Sequence, residues 1–398
     1  MRRALYSAGV AAAFSAAGTA SAFSQDDSPA QFEAVRGIET ETTGPDGAVG
    51  DGSPVVGRIS LTQADLRRLA GIERTTQRLD RSALAAFHRG LMPLPDLLDQ
   101  TDLADRTDLW IHQIRRDGGE QAVLVRQVRR LRDVVSHLES FNQPNSSGWR
   151  ADLALARWAL SDAEFRAAAA GGDEVAAARS GGRRAEFARE VFEFRTADAA
   201  IGLASPEAVL RAAAIVVASP SADSNANMRA QRQYFNLADM NVEQTERWGL
   251  LGAGVGRVDR IEQARVHRDF ALLRASLDNG EASISARLLA RTEAQVQSAF
   301  ADELRFFATG AASLYDVAET WRTWSDMHLS VAEVAELADL ASTGEREEAL
   351  DRLRLAADSI SDLRGRHEAD VLFVDVLETV DELSAMRQQV TRSENYLQ

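Results

Sequence analysis

From Leu61 onward, apolar residues recur at alternating steps of four and three. That spacing is the period of one helix face, not the period of two expected of a strand. Leu124, Val128, Leu131, Val135 and Leu138 form one such stripe, and Trp149, Leu153, Ala156, Leu160 and Ala163 form a second. Tyr234, Leu237, Asn241, Gln244, Trp248 and Leu251 keep the spacing but place two amides mid-stripe. Leu314, Val317, Trp321, Trp324, His328, Val331, Ala335 and Ala338 make the longest seam, and Phe373, Val376 or Leu377, Val380 and Leu383 the last. A four–three repeat keeps one seam turned toward a partner helix, as in antiparallel hairpins with small crossing angles. Val55–Leu61 and Ile215–Ala218 are the only strand-like stretches, and neither alternates long enough to build a sheet.

Glycines punctuate these stripes. Gly90, Gly148, Gly202, Gly254, Gly310 and Gly365 recur about every 55 residues, a spacing that suits stacked repeat units. Soon after each comes an acidic residue near the start of a new stripe: Asp96, Asp152, Glu207, Asp259, Asp316 and Asp370. A carboxylate in a first turn suits the positive end of the helix dipole. Further breaks are expected at Gly118-Gly119, Gly171-Gly172, Gly181-Gly182, Asn279-Gly280 and Thr343-Gly344. Each period then holds two helices, each about 30–40 Å long at about 1.5 Å per residue. The expected fold over residues 61–398 is all-α: an elongated antiparallel helical-hairpin bundle or α-solenoid.

The first 60 residues follow no such pattern. Arg2 and Arg3 precede a short alanine-rich apolar run, and Ala20-Ser21-Ala22 has the small-residue pattern of a cleavage site. Residues 1–22 therefore read as an export signal, with Phe23 starting the mature chain. Residues 23–60, rich in Ser, Asp, Gly, Pro and Thr, read as a disordered tether. No later stretch offers 18 consecutive apolar residues, so no transmembrane helix is expected. The expected location is the periplasm, with outer-membrane association a second option.

Composition narrows the chemistry. The 398 residues include no cysteine and no lysine, so all 45 basic side chains are arginine against 60 acids, a formal charge of −15. Missing cysteine excludes disulfides, all-cysteine zinc sites, thiol nucleophiles and an N-terminal lipid anchor. Missing lysine excludes Schiff-base chemistry and the P-loop. The negative charge argues against sequence-independent binding of nucleic acid. No HExxH or GxSxG occurs, and Gly252, Gly254 and Gly256 lack the strand and third glycine of a dinucleotide fingerprint. Asp108 and His112 are spaced as an ion pair, and His328 sits in an apolar seam as a core histidine. The six tryptophans read as packing residues.

Against the acidic background, Arg115, Arg116, Arg126, Arg129, Arg130 and Arg132 gather beside the 124–138 stripe. Guanidinium forks suit phosphate or carboxylate, so these six are candidate contacts for an anion, a lipid headgroup or an acidic partner. Pairing with acids on neighbouring helices is the competing reading.

The segments GVGRVDRIEQARVHRDFALLRASL (254–277) and GAASLYDVAETWRTWSDMHLSVAEVAELADLA (310–341) resemble the periplasmic hairpin tips of the TolC family of outer-membrane efflux ducts. That resemblance implies a glycine turn before a long helix and places Gly254, Asp259, Gly310 and Asp316 at an end that meets an inner-membrane partner. It also implies a membrane β-barrel, for which this sequence offers no strands. The functional expectation is a non-enzymatic exported helical scaffold or protein-interaction protein of the cell envelope. It would have protein partners and neither cofactor nor metal. The alternatives are a TolC-like export component and, more weakly, a helical periplasmic ligand binder or enzyme.

Overall fold

A computed structural model describes residues 61–141, 147–219, 224–250, 282–332, 343–360 and 366–395, with 264–266, 268–270, 272–273 and 276. Among these residues every regular element is a helix, and there is no strand. In chain order they are α1 (Gln63–His88), α2 (Leu94–Arg115), α3 (Glu120–Ser140), α4 (Ser147–Ala170), α5 (Glu174–Ala200) and α6 (Pro206–Val217). Then follow α7 (Ser224–Leu250), α8 (Ala282–Ala308), α9 (Leu314–Ala332), α10 (Thr343–Asp358) and α11 (Arg366–Asn395). The all-α, antiparallel, elongated bundle expected from the stripes is the fold observed.

Local chemistry sets the helix ends. Thr62 and Asp65 form a capping box on α1: the Asp65 N–H donates to Thr62 Oγ1 at 3.1 Å, and the Thr62 N–H to Asp65 Oδ2 at 2.8 Å. At the other end, Gly90 takes a left-handed φ of 68°, and the Leu91 N–H donates to the Ala86 carbonyl at 2.9 Å. This is a Schellman cap, which needs a residue with no Cβ at that place. Gly172, Gly202 and Gly310 close α4, α5 and α8 in the same way. Gly254, Gly280 and Gly365 lie outside the described residues.

The break expected at Gly181-Gly182 is overturned. Gly181 and Gly182 do not break the chain but lie inside α5. There the Phe165 ring of α4 comes within 3.5 Å of where a Gly181 Cβ would stand. With Ala177, Ala185 and Ala188 buried on the same helix, small residues let α4 and α5 approach over much of their length. The strand-like Ile215–Ala218 runs through the end of α6, where Ile215 and Ala218 are buried in helix packing. A short apolar run cannot distinguish a strand from a fully buried helix, and here burial decides.

The core has two main parts. One gathers α3–α6 around Phe87, Met92, Leu94 and Leu97, where α1 gives way to α2. The other gathers α8–α11 around Leu79, Leu103 and Ala104, on the same two helices. A smaller cluster of Leu69, Ile72, Ile111, Ile114 and Leu383 seals one end. Helices adjacent in sequence from α1 to α7 and from α8 to α11 pack against each other, and in addition α11 returns to lie on α1 and α2. Helix α2 therefore stands at the centre, with apolar cores on both sides.

Candidate functional site

The central helix carries an unusual buried face. Asp96, Asp99, Asp102, Asp105 and Asp108 follow one another every third residue along α2. Three residues fall about 60° short of a full turn, so each aspartate is rotated from the last and faces a different neighbour. Four of the five are at most 2% exposed.

Each meets its own partner. Asp96 pairs with Arg366 of α11, whose Asp370 accepts from Gln100 Nε2 at 3.0 Å. Asp99 Oδ2 accepts from the Tyr315 hydroxyl of α9 at 2.9 Å. Arg322, fully buried on α9, reaches Asp102 at 3.6 Å, Asp326 at 3.6 Å and Glu319 at 3.8 Å. Arg106 meets the same Asp326 at 3.2 Å. Asp105 is gripped by Arg130 of α3, which also holds Asp80 of α1. Asp108 pairs with Arg126 and accepts from the Thr76 hydroxyl.

Burial pushes the Asp96, Asp99, Asp105, Asp108 and Asp370 carboxyls up, against the pull of the arginines beside them. Asp99 rises to about 7, despite the pull of Arg322, and Asp370 to about 7 against Arg366. Asp105 rises to about 6, low enough to stay ionised at neutral pH in the grip of Arg130. For Arg130 and Arg322 burial works downward, but the surrounding carboxylates outweigh it and hold both charged. Raised carboxyls can mark acid–base chemistry. Here Asp96, Asp99, Asp105, Asp108 and Asp370 each have an arginine, amide, hydroxyl or tyrosine partner, although Asp96 Oδ1, Asp99 Oδ1 and Asp370 Oδ2 make no hydrogen bond. The cavity beside Asp102, Asp162, Arg130 and Arg166 is about 40 Å³, room for a few waters. The arrangement holds helices together.

The histidines follow the same logic. His328 Nε2 lies 3.0 Å from Glu293 Oε1, and burial, aided by Arg346, lowers its pKa to about 3, so the ring is neutral. It is the core histidine the seam predicts. Asp108 and His112, in contrast, do not pair, because Asp108 turns inward to Arg126 while His112 Nδ1 meets Asp117 at 2.7 Å. No group of three or more His, Asp or Glu that could hold a metal occurs among the described residues. Of the tryptophans, Trp158, Trp321 and Trp324 are buried packing residues, while Trp110 and Trp149 are half-buried.

The six arginines gathered by the sequence fall in three different places. Arg115 pairs with Glu73 at 2.6 Å, and Arg126 and Arg130 are consumed by the α2 aspartates. Arg116 ends α2 with a left-handed φ of 54°. Arg129 and Arg132 instead face a surface groove of about 470 Å³ between α3, α4 and α5. Val125 and Val128 continue their side of it, Glu164 and Ala167 of α4 lie between, and α5 contributes Ala176, Arg179, Ser180 and Arg183. Arg132 and Arg183 share Glu164, at 2.8 and 2.6 Å. Arg129 and Arg179 are exposed, and neither has an ion-pair partner among the described residues.

No family model, curated protein or solved structure matches this chain. At the tip expected from the efflux-duct resemblance, Gly310 closes α8, and Asp316 caps α9 by accepting from the Ser313 N–H at 2.7 Å. Both residues act in local helix termination, while Gly254 and Asp259 lie outside the described residues. Sequence reasoning missed Arg179 and Arg183, which sit in an alanine-rich helix far from the first arginine cluster. It also missed the Asp-x-x repeat of α2, although that pattern stands openly in the sequence. No described helix is long and apolar enough to cross a membrane.

Proposed function

We propose that this protein is an exported, non-enzymatic scaffold of the cell envelope that acts by binding a protein partner at the α3–α4–α5 groove. The observation that carries the reading is the contrast between interior and surface arginines. Inside, guanidiniums are matched to the aspartates of α2 and the acids around them. At the groove, four arginines face one glutamate, on a chain whose formal charge is −15. A local excess of positive charge on an acidic protein attracts and orients an anionic partner. Interior ion pairs then serve as the frame that holds the groove's three helices in place.

Export rests on the first 22 residues, and a direct test follows. Expressed whole in a Gram-negative host, the protein is expected in the osmotic-shock fraction with Phe23 at its N-terminus, as read by intact-mass spectrometry. Recovery from the cytoplasm with residues 1–22 still attached contradicts the envelope assignment.

A further inference from the structure

The groove itself says what shape of partner it takes, and the inference rests on the scaffold reading only in assuming that the ligand is a protein. Helix α3 lines it with Val125, Val128, Arg129 and Arg132, and α5 with Ala176, Arg179, Ser180 and Arg183. Both sets have i, i+3, i+4, i+7 spacing, so each is one straight stripe along its helix. The two stripes are ridges on either side of α4, where the small Ala167 leaves the floor low. Seven residues at about 1.5 Å each make a trough roughly 10 Å long, about two helical turns.

The chemistry is graded across this trough. Val125, 44% exposed, offers apolar surface, and Val128 beside it is 9% exposed and belongs to the core beneath. Arg132 and Arg183 are fixed by sharing Glu164, while Arg129 and Arg179, one turn away on their own helices, carry unneutralised charge. A recess between two ridges touches a cylinder along its length but meets a flat bilayer only at its rims. Carboxylates suit the planar arginine fork, and a helix supplies them at the same three–four spacing as the ridges.

We propose that the α3–α4–α5 groove is a docking site for an acidic amphipathic helix of a partner protein. Its apolar residues lie on Val125, Val128, Ala167 and Ala176, and its flanking Asp or Glu side chains reach Arg129 and Arg179. This is helix-in-groove recognition, with the charges giving orientation and encounter rate.

The test uses the full-length protein and a fluorescein-labelled peptide of roughly 20 residues, long enough to form a helix on binding. The peptide carries Leu at its a and d positions and Glu at e and g. Anisotropy titrations at low salt are expected to show saturable binding that weakens on adding salt. The double variant Arg129→Glu/Arg179→Glu weakens it at least about tenfold, equal to about 1.4 kcal/mol. Arg129→Gln/Arg179→Gln gives a smaller loss, and Arg287→Glu, on exposed surface of α8, gives none. Because Arg129 and Arg179 are exposed, both double variants keep the helical circular dichroism of the parent.

Equal binding of a peptide with Gln at e and g overturns the proposal. So does binding that survives the double charge reversal, or no binding at all. Arginine-dependent binding of phosphatidylglycerol vesicles in preference to the peptide assigns the groove to a membrane instead and overturns it equally. None of these results depends on where the chain is found in the cell, so export and groove recognition fail independently.

Discussion

Replacing Arg322 with Met is expected to lower folding stability by about 3–5 kcal/mol, the usual cost of leaving buried charges without their partner. Arg322 is fully buried and lies against Asp102, Glu319 and Asp326, with its Nη1 also donating to the Asp99 carbonyl at 3.4 Å. Met restores much of the volume but none of the charge. The loss depends on pH, and its sign follows from the direction of the shifts. Burial already raises Asp99 to about 7 and lifts Glu319 well above the carboxylate range, with Arg322 the main opposing charge on both.

Without Arg322 both rise further, so the folded variant binds protons more tightly than its unfolded chain. Stability of such a state falls as pH rises through the folded pKa and recovers as pH drops toward the unfolded value near 4. The gap between parent and variant should therefore be wider at pH 8 than at pH 5 in urea unfolding followed by circular dichroism. A loss under about 1 kcal/mol, or one equal at both values, contradicts the role given to Arg322.

Trp321→Ala is expected to cost about 3–5 kcal/mol by removal of a large side chain from a packed core. Trp321 is 1% exposed in the core formed by α8–α11, with the Arg346 guanidinium 5.6 Å from its ring. The cavity left by Ala would open within the apolar core that α8–α11 build. Thermal unfolding should show the loss as a lowered midpoint, and a variant within about 1 kcal/mol of the parent would mean that the seam repacks freely.

Much of the fold was legible because helix periodicity and glycine caps are local. The 124–138 and 314–331 stripes are buried as their spacing predicts, and Gly90, Gly202 and Gly310 end helices where expected. Glycine in α5 was misleading, since small residues serve close helix packing as well as chain breaks, and only the Phe165 contact distinguishes the two uses. Helix α4 shows a second limit of stripes. Ala151, Leu153, Ala154, Leu155, Ala156, Trp158 and Ala159 are all buried, because it meets neighbours on more than one side.

The site was less legible, for a long-range reason. Arg129 and Arg132 are sequence neighbours of Arg126 and Arg130, yet helix rotation sends the first two outward and the other two into the α2 aspartates. Pairing of Arg130 with Asp80 and Asp105 depends on which helices touch, which the spacing along α3 does not state. The aspartate repeat of α2 was the available clue. Five acids at steps of three circle a helix instead of lining one solvated face, and a helix circled by acids needs cations on several sides.

Helix α2 is the element to which the first and last described helices, α1 and α11, are both tied. Hydrogen exchange read by mass spectrometry, on the intact chain and on one ending before Arg366, tests that directly. In the intact protein α2 should be the best protected helix. Removal of α11 takes away Arg366 and Asp370 and exposes the acids and amide they hold, so protection is expected to fall along α1 and α2 as well as in α9 and α10. Protection of α1 and α2 that is unchanged by the truncation would contradict the central place given to the aspartate helix.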